Sequence, residues 1–448
     1  MRTFDHGAAW VALTIVSCLL VPPNRCQAET VEWIRQLGTG SHEDAISVSA
    51  DRLGNIYIAG ETNSTLGDTA NAGGSDAFIS KFDAAGNLVW KTPRLVPTSR
   101  QIGTSADDHG FGVSADGLGS VYMSGRTGGN LGGTSAGNDD AFLTKWDANN
   151  GTLLWSRQLG TAADDFSSAV SADGLGNVYI SGYTGGSLDG VHAGNDAFIS
   201  KFDAAGTLLW TRQPGISLTG FDASLGVSAD GLGNVFMTGS INAGAFVTKF
   251  DDAGALLWTR TFSSRGSVQS KGISADGLGN VYISGYSDGS LAPPSAGQTE
   301  PFIRKYDADG AVLWTKQLGT SGNDYSFGVS ADGLGNAYIT GRTQGNLGGP
   351  TAGNDDAFVS KFNAAGTLLW TKQLGTSTYE GSLAVSADGL GNVYTAGGTD
   401  GSLGAANRGF GDAFLVKISD TTVPEPSALA LFALAALSLS WRTRGVAA

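Results

Sequence analysis

Apolar and polar positions along this chain follow a strand rhythm, and the rhythm recurs. Residues 167–172 mix small and apolar side chains and read as a strand buried on both faces. Asp173-Gly174-Leu175-Gly176-Asn177 then reads as a turn, because Gly and Asn tolerate positive φ. Val178-Tyr179-Ile180-Ser181-Gly182 is β-branched and aromatic, hence a second strand. After a polar, Gly-rich loop, residues 196–203 alternate Phe198, Ser200 and Phe202 with Ile199 and Lys201, the period-2 pattern of a third strand. Ala204-Ala205-Gly206 turns the chain, and Leu208-Leu209-Trp210-Thr211-Arg212-Gln213 makes a fourth strand. Between the two ends, no stretch holds a 3.6-residue period.

The unit returns seven times, its core starting at Val48, Val113, Val170, Val227, Ile273, Val329 and Val385. Its closing Trp falls at Trp90, Trp155, Trp210, Trp258, Trp314 and Trp370, with Trp33 ahead of them. Successive Trp residues are 48 to 65 positions apart, which means fixed strands joined by variable loops. Four strands in each of seven units predict an all-β, seven-bladed β-propeller with four-stranded antiparallel blades. A solenoid would need polar caps at both ends, and neither end reads as one. The ends are instead complementary. The last unit stops near Asp420 without a Leu-Leu-Trp strand, and Glu32-Trp33-Ile34-Arg35-Gln36-Leu37 is such a strand. The N-terminal strand is therefore expected to complete the last blade, leaving no open sheet edge.

The recurring Trp-x-(Arg/Lys)-Gln-Leu-Gly-Thr, Asp-Gly-Leu-Gly-Asn-Val-Tyr-Ile-Ser-Gly and Asp-Ala-Phe-Ile-Ser-Lys-Phe-Asp-Ala-Ala-Gly segments resemble the SBBP family of seven-bladed propeller repeats across residues 31–420. The resemblance implies a fold and a secreted or surface setting, without implying one activity. Unit four departs from the pattern, with its long loop cut to Ile241-Asn242-Ala243-Gly244 and Gly244 in place of Asp. Unit five has Glu300-Pro301-Phe302 there.

With 448 residues, 68 Gly and 10 Trp, the chain fits one large all-β domain over residues 29–420. A formal net charge of −14 argues against nucleic-acid binding, which needs a basic surface. At the N-terminus, Arg2, an apolar run through residues 8–21 and Cys26-Gln27-Ala28 predict a signal peptide over residues 1–28. Ile15-Val16-Ser17-Cys18 also matches a lipoprotein box, although the residues after it are too apolar for a tether. Both cysteines, Cys18 and Cys26, lie in this segment, so a chain cut after Ala28 has no disulfide, Cys nucleophile or Cys–zinc site. Over residues 421–448, Val423-Pro424-Glu425-Pro426 precedes a short apolar run and the basic Arg442 and Arg444. That run is shorter than the ~20 residues of a comfortable bilayer span. The arrangement resembles the PEP-CTERM sorting signal of Gram-negative bacteria. It implies cleavage near the motif by an exosortase-type enzyme, with the C-terminal segment holding the precursor at the membrane. A plain anchor is the alternative.

Candidate chemistry divides into repeated and unrepeated residues. Asp51, Asp116, Asp173, Asp230, Asp276, Asp332 and Asp388 end the first strand of each unit, so they are expected at one mouth of the channel. They are the candidate ligands for Ca²⁺, but Asp before Gly-Leu-Gly-Asn is also what a side-chain-stabilised turn requires. Asn138-Asp139-Asp140, Asn195-Asp196 and Asn354-Asp355-Asp356 lack the spacing of a calcium loop. Lys81, Lys145, Lys201, Lys249, Lys305, Lys361 and Lys417 recur in the third strand and point to pairing between blades rather than catalysis. The Gly-Leu-Gly-Asn turns join strand to strand and offer no helix N-terminus to a phosphate. His42, His109 and His192 show no metal-ligand spacing, and there is no Gly-x-Ser-x-Gly elbow. No catalytic residue and no organic cofactor follow from these patterns.

Function is expected where the copies differ. Thr92-Pro93-Arg94-Leu95-Val96-Pro97-Thr98-Ser99-Arg100 is inserted after Trp90, and Thr261-Phe262-Ser263-Ser264-Arg265-Gly266 follows Trp258. Arg94, Arg100 and Arg265 are the candidate contacts to an anionic glycan or a surface protein. The leading expectation is an exported, non-enzymatic scaffold at the cell surface or in an exopolysaccharide matrix. A propeller lyase or hydrolase is the alternative, and a spacer without ligand the third.

Overall fold

The computed structural model describes residues 28–421 apart from 68, 92–97, 191–194, 217–221 and 293–296. Cys18, Cys26, Arg94, His192 and residues 423–426 lie outside the described residues.

The described strands form seven four-stranded antiparallel sheets. The innermost strands of blades 1 to 7 are Glu43–Ala50, Asp108–Ala115, Asp165–Ala172, Asp222–Ala229, Val268–Ala275, Asp324–Ala331 and Glu380–Ala387. In the last blade the order is Ala28–Leu37, Asp412–Thr421, Asn392–Thr399, Glu380–Ala387. The N-terminal strand is thus the outer strand of blade 7, as the complementary ends predict.

Blades stack face to face, so their two middle strands have a neighbour on each side. Asp76–Phe82 is accordingly buried along its whole length, although its sequence alternates. Outer strands meet solvent and expose Leu208 and Leu209. A hydrophobic cluster fills each of the seven interfaces. Between blades 2 and 3, for example, Tyr122, Ala141 and Leu143 meet Val170, Ile180, Phe198 and Phe202.

Repeated polar residues stitch the same interfaces. Around the channel, each Ser of the Val-Ser-Ala segment accepts the backbone N–H of the next blade's Ala: Ser49 from Ala115 at 3.1 Å, Ser114 from Ala172 at 3.0 Å, and so on to Ser386 from Ala50 at 3.0 Å. Farther out, the Trp-x-Arg pair of one blade clamps the outer turn of the next. Trp155 Nε1 donates to Ala204 O at 3.2 Å, and Arg157 donates to Gly206 O at 2.8 Å and Ala205 O at 3.0 Å. Gly206 has φ +78°, and a Cβ there would lie 3.0 Å from Trp155 and Arg157, so only Gly fits this turn. The recurring Lys joins the clamp, Lys81 donating to Ala148 O at 2.7 Å and Lys145 to Ala204 O at 2.9 Å. The expected pairing between blades is therefore chiefly with backbone carbonyls, to which Lys201 adds an ion pair with Asp252 of the next blade. The nearby Asp83 instead receives Ala85 N and Asn87 N in its own turn.

Blade 1 departs from the simple strand pattern. Its outer strand is Arg100–Ile102 rather than a segment starting at Trp90. Trp90 keeps its buried place and donates to Ala148 O at 3.2 Å, while Thr98 N donates to Trp90 O at 2.9 Å and closes off the insertion.

Candidate functional site

The two channel mouths differ in kind. All seven first-strand Asp residues line a space of about 670 Å³ at one of them. Their oxygens are committed to their own turns. Asp173 Oδ1 receives Leu175 N at 2.7 Å and Asn177 N at 3.0 Å, and Oδ2 receives Asn177 Nδ2 at 2.6 Å. Asp51, Asp230, Asp276, Asp332 and Asp388 repeat all three bonds. Asp116 makes the two backbone bonds, with Ser120 in place of Asn. Asp173→Ala is expected to cost ~1–2 kcal/mol through these lost bonds, read as a lower urea midpoint at unchanged slope. One residue breaks the symmetry here. Arg52 stands where the other turns have Gly, and its guanidinium lies over the turns at Gly333 and Gly389 of blades 6 and 7.

The opposite mouth carries the unrepeated chemistry. Each innermost strand contains a β-bulge, seen as a register shift against the second strand, for instance between Ser167 and Ala169 or Ser270 and Gly272. A bulge leaves one residue outside the ladder and re-aims it. The seven bulged residues are Ile46, Phe111, Ser168, Leu225, Lys271, Phe327 and Leu383, and all line a channel cavity of about 530 Å³. Here the copies disagree, and Lys271 is the one ionisable member of the seven.

Desolvation by burial pushes the Lys271 ammonium below its ordinary pKa. No hydrogen bond or ion pair joins it to any described residue, and its Nζ lies 5.8 Å from the Tyr286 ring centroid. Tyr286 donates to Gln269 Oε1 at 2.7 Å and meets Tyr325 edge-on at 4.9 Å. Tyr325 stacks on Phe327 at 6.3 Å. Arg342 covers these rings, its Cζ 4.7 Å from Tyr325 and 5.7 Å from Tyr379, and is held by Asp355 Oδ2 at 3.0 Å. Blades 5 to 7 thus present half-buried aromatic rings beside two cations.

Across the same mouth, blades 1 and 2 present a charged cluster. His42 Nε2 lies 3.2 Å from Asp44 Oδ2. The hydrogen bond to Asp44 is the largest cause that raises the His42 pKa. His109 Nδ1 bonds to Glu61 Oε2, and Arg126 donates to His109 Nε2 at 3.1 Å and Asp139 Oδ2 at 3.0 Å. Burial works to raise the Glu61 carboxyl, but the His109 bond and neighbouring positive charge outweigh it and hold it below the usual value.

These positions correct parts of the sequence reading. Spacing gave no reason to join His42 and His109, yet adjacent blades bring both against Glu61. Arg100 is not an unrepeated cation. It donates to Gly151 O at 3.0 Å and Asn150 O at 2.9 Å and lies over Trp90, so it is blade 1's copy of the Trp-x-Arg clamp, displaced by the insertion. Arg265 is exposed on the loop after blade 4 and bonds to no described residue. In the acidic loop clusters, Asp139 and Asp355 pair with Arg126 and Arg342, while Asp140 and Asp356 receive Gln158 and Gln373. Lys271, Tyr286, Tyr325 and Arg342 sit in strands whose spacing follows the repeat, so the spacing does not mark them out. For Lys271 the signal was available in the repeat, as the variable residue two before each core Val or Ile.

Seven four-stranded blades closed around a channel by an N-terminal strand define a seven-bladed β-propeller. The chain carries repeats of the SBBP type, described as Beta-propeller repeat, at residues 32–68, 154–189, 257–292 and 313–348, and a PEP-CTERM protein-sorting motif at residues 422–444. The sorting motif implies export to the bacterial cell envelope or surface, processing by an exosortase and a membrane-anchoring C-terminus. A similar curated protein is the uncharacterized WD repeat-containing protein L264 of Acanthamoeba polyphaga mimivirus, 23% identical over 261 residues. The match covers 50% of this chain and 16% of that protein. Among solved structures, the Pan2 WD40 domain of Neurospora crassa matches with TM-score 0.47 and 9% identity, over 88% of this chain and 96% of that one. The quinohemoprotein alcohol dehydrogenase of Comamonas testosteroni matches with TM-score 0.45 and 13% identity, over 88% and 77%. At these values neither likeness carries an activity across.

Proposed function

We propose that the chain is a non-enzymatic binding propeller displayed at the surface of a Gram-negative bacterium, and that it holds an acidic glycan of the extracellular matrix at the unrepeated mouth. The observation that carries this reading is Lys271, a desolvated cation facing a cavity with no carboxylate paired to it among the described residues. Such a charge is costly unless an anion completes it. The flanking Tyr286, Tyr325 and Phe327 offer apolar faces of the size of a sugar ring, and Arg342 adds a second positive group. A uronate residue combines the two complementary features, a carboxylate and a partly apolar ring.

Calorimetric titration of the full chain, kept in detergent, with uronate oligosaccharides and their carboxyl-reduced counterparts tests this. The acidic form is expected to bind at least tenfold more tightly. Equal affinity, or none, overturns the reading, and release of an unsaturated product would favour the lyase alternative. The export route makes its own prediction. Mass spectrometry of the surface-displayed protein is expected to find a C-terminus near Val423-Pro424-Glu425-Pro426. Retention of Arg444 would speak for a plain anchor.

A further inference from the structure

The cluster on blades 1 and 2 adjoins the aromatic and cationic side of the mouth, Tyr379 lying near both Arg342 and Asp44, and the glycan reading leaves it unused. We propose that His42, Asp44 and Glu61 form a binding site for a first-row divalent transition metal of the Zn²⁺ type. Each residue offers one ligand atom, and these atoms all lie within 4.8 Å of one another. The 3.2 Å between His42 Nε2 and Asp44 Oδ2 matches an edge of a coordination polyhedron whose bonds are ~2.1 Å long. Small side-chain rotations bring the third ligand in.

Three features go beyond proximity. Asp44 and Glu61 are direct partners in the register of the first and second strands. Like charges opposite one another destabilise a sheet, and the propeller does not require them there. The same pair is His109 with Arg126 in blade 2, Tyr325 with Arg342 in blade 6 and Gly381 with Gly398 in blade 7. His42 beside Asp44 and His109 beside Glu61 offset part of that cost, and a bound cation would bridge the two carboxylates directly.

The second feature is the support behind Glu61. Arg126 has only donors, so His109 Nε2 accepts and its proton sits on Nδ1, which donates to Glu61 Oε2. That bond orients the carboxylate and leaves Oε1 for a metal, the usual arrangement behind metal-binding groups. The third is the donor set. One imidazole with two carboxylates suits Zn²⁺, Mn²⁺ or Fe²⁺, whereas Ca²⁺ and Mg²⁺ sites take oxygen alone. His42 and Asp44 remain partly open to solvent, with 40% and 28% of their side chains exposed, so a bound metal keeps positions for water or a further ligand.

The test is titration of the chelator-stripped full chain with ZnCl₂ and, separately, with CoCl₂. One Zn²⁺ per chain is expected, with Co²⁺ giving visible absorption of histidine-ligated type. His42→Ala is expected to lower affinity at least tenfold and abolish the Co²⁺ signal. His109→Gln is expected to lower affinity ~10-fold through loss of the oriented Glu61. His42 is partly exposed but also meets Gly411 of blade 7, so matching metal-free melting curves of variant and wild type are the control for folding. Absence of saturable Zn²⁺ binding, or equal binding by His42→Ala, overturns the proposal. Excess Ca²⁺ is expected not to displace Zn²⁺, and displacement at comparable concentrations would also overturn it.

Discussion

Removing residues 31–39 is expected to turn a cooperatively melting monomer into a chain that aggregates. The strand Ala28–Leu37 is the outer strand of blade 7, and without it Asp412–Thr421 becomes an open edge. The deletion removes side-chain links in two directions. Trp33 and Arg35 clamp blade 1 through Ala84 O at 3.1 Å, Ala85 O at 2.7 Å and Gly86 O at 2.7 Å. Gln36 holds Asp412 Oδ2 at 2.8 Å, and Glu32 pairs with Lys417 at 2.7 Å. Val31 and Ile34 also leave the cluster between blades 6 and 7. At ~1 kcal/mol for each hydrogen bond, and less than the ~1.5–3 kcal/mol of full burial for each of these half-buried apolar side chains, the loss is a large share of the ~5–15 kcal/mol that holds a typical domain together. Calorimetry should show the single transition broadened or lost, and light scattering should show association. A truncated chain that stays monomeric and melts as before would rule out closure by this strand.

Lys271→Met is expected to move binding and stability in opposite directions. Affinity for an acidic oligosaccharide should fall at least tenfold, because the carboxylate loses its desolvated partner. Stability should rise by up to ~1 kcal/mol, because an apolar side chain replaces a half-buried charge without a counter-ion. The pH dependence has a definite sign. Folding lowers the Lys271 pKa below its ordinary 10.5, so between the two values the unfolded chain holds more protons than the folded one. Wild-type stability therefore gains from this group as pH rises through that window, and the variant lacks the gain. Glycan affinity runs the other way and declines as Lys271 loses its proton. Urea melts from neutral to alkaline pH, paired with calorimetric titrations, read both effects. A variant that binds normally would remove Lys271 from the site.

The fold was legible because each blade repeats the same physical problem. The Leu-Leu-Trp strand missing at one end and present at Trp33 revealed the closure, since an unpaired edge must be covered. Repetition also made the Asp and Lys series readable as structural, and the structure gives these residues bonds to their own turns and to carbonyls of the next blade. The mouth was not legible in the same way. Lys271 lies inside a strand, and only the bulge beside it turns the side chain toward the channel. His42 and His109 are 67 positions apart, and their meeting at Glu61 depends on how neighbouring blades stack. Arg100 misled for the opposite reason, because an insertion moved a repeated residue out of its usual spacing.

The seven bulges have an evolutionary consequence. Each supplies a position that touches the channel yet takes no part in the ladder of its own sheet. A point mutation there changes the shape and charge of the channel lining while leaving the hydrogen-bonded framework nearly untouched. A lineage carrying this scaffold is therefore able to vary its channel lining one substitution at a time, with seven separate dials and little risk of losing the molecule.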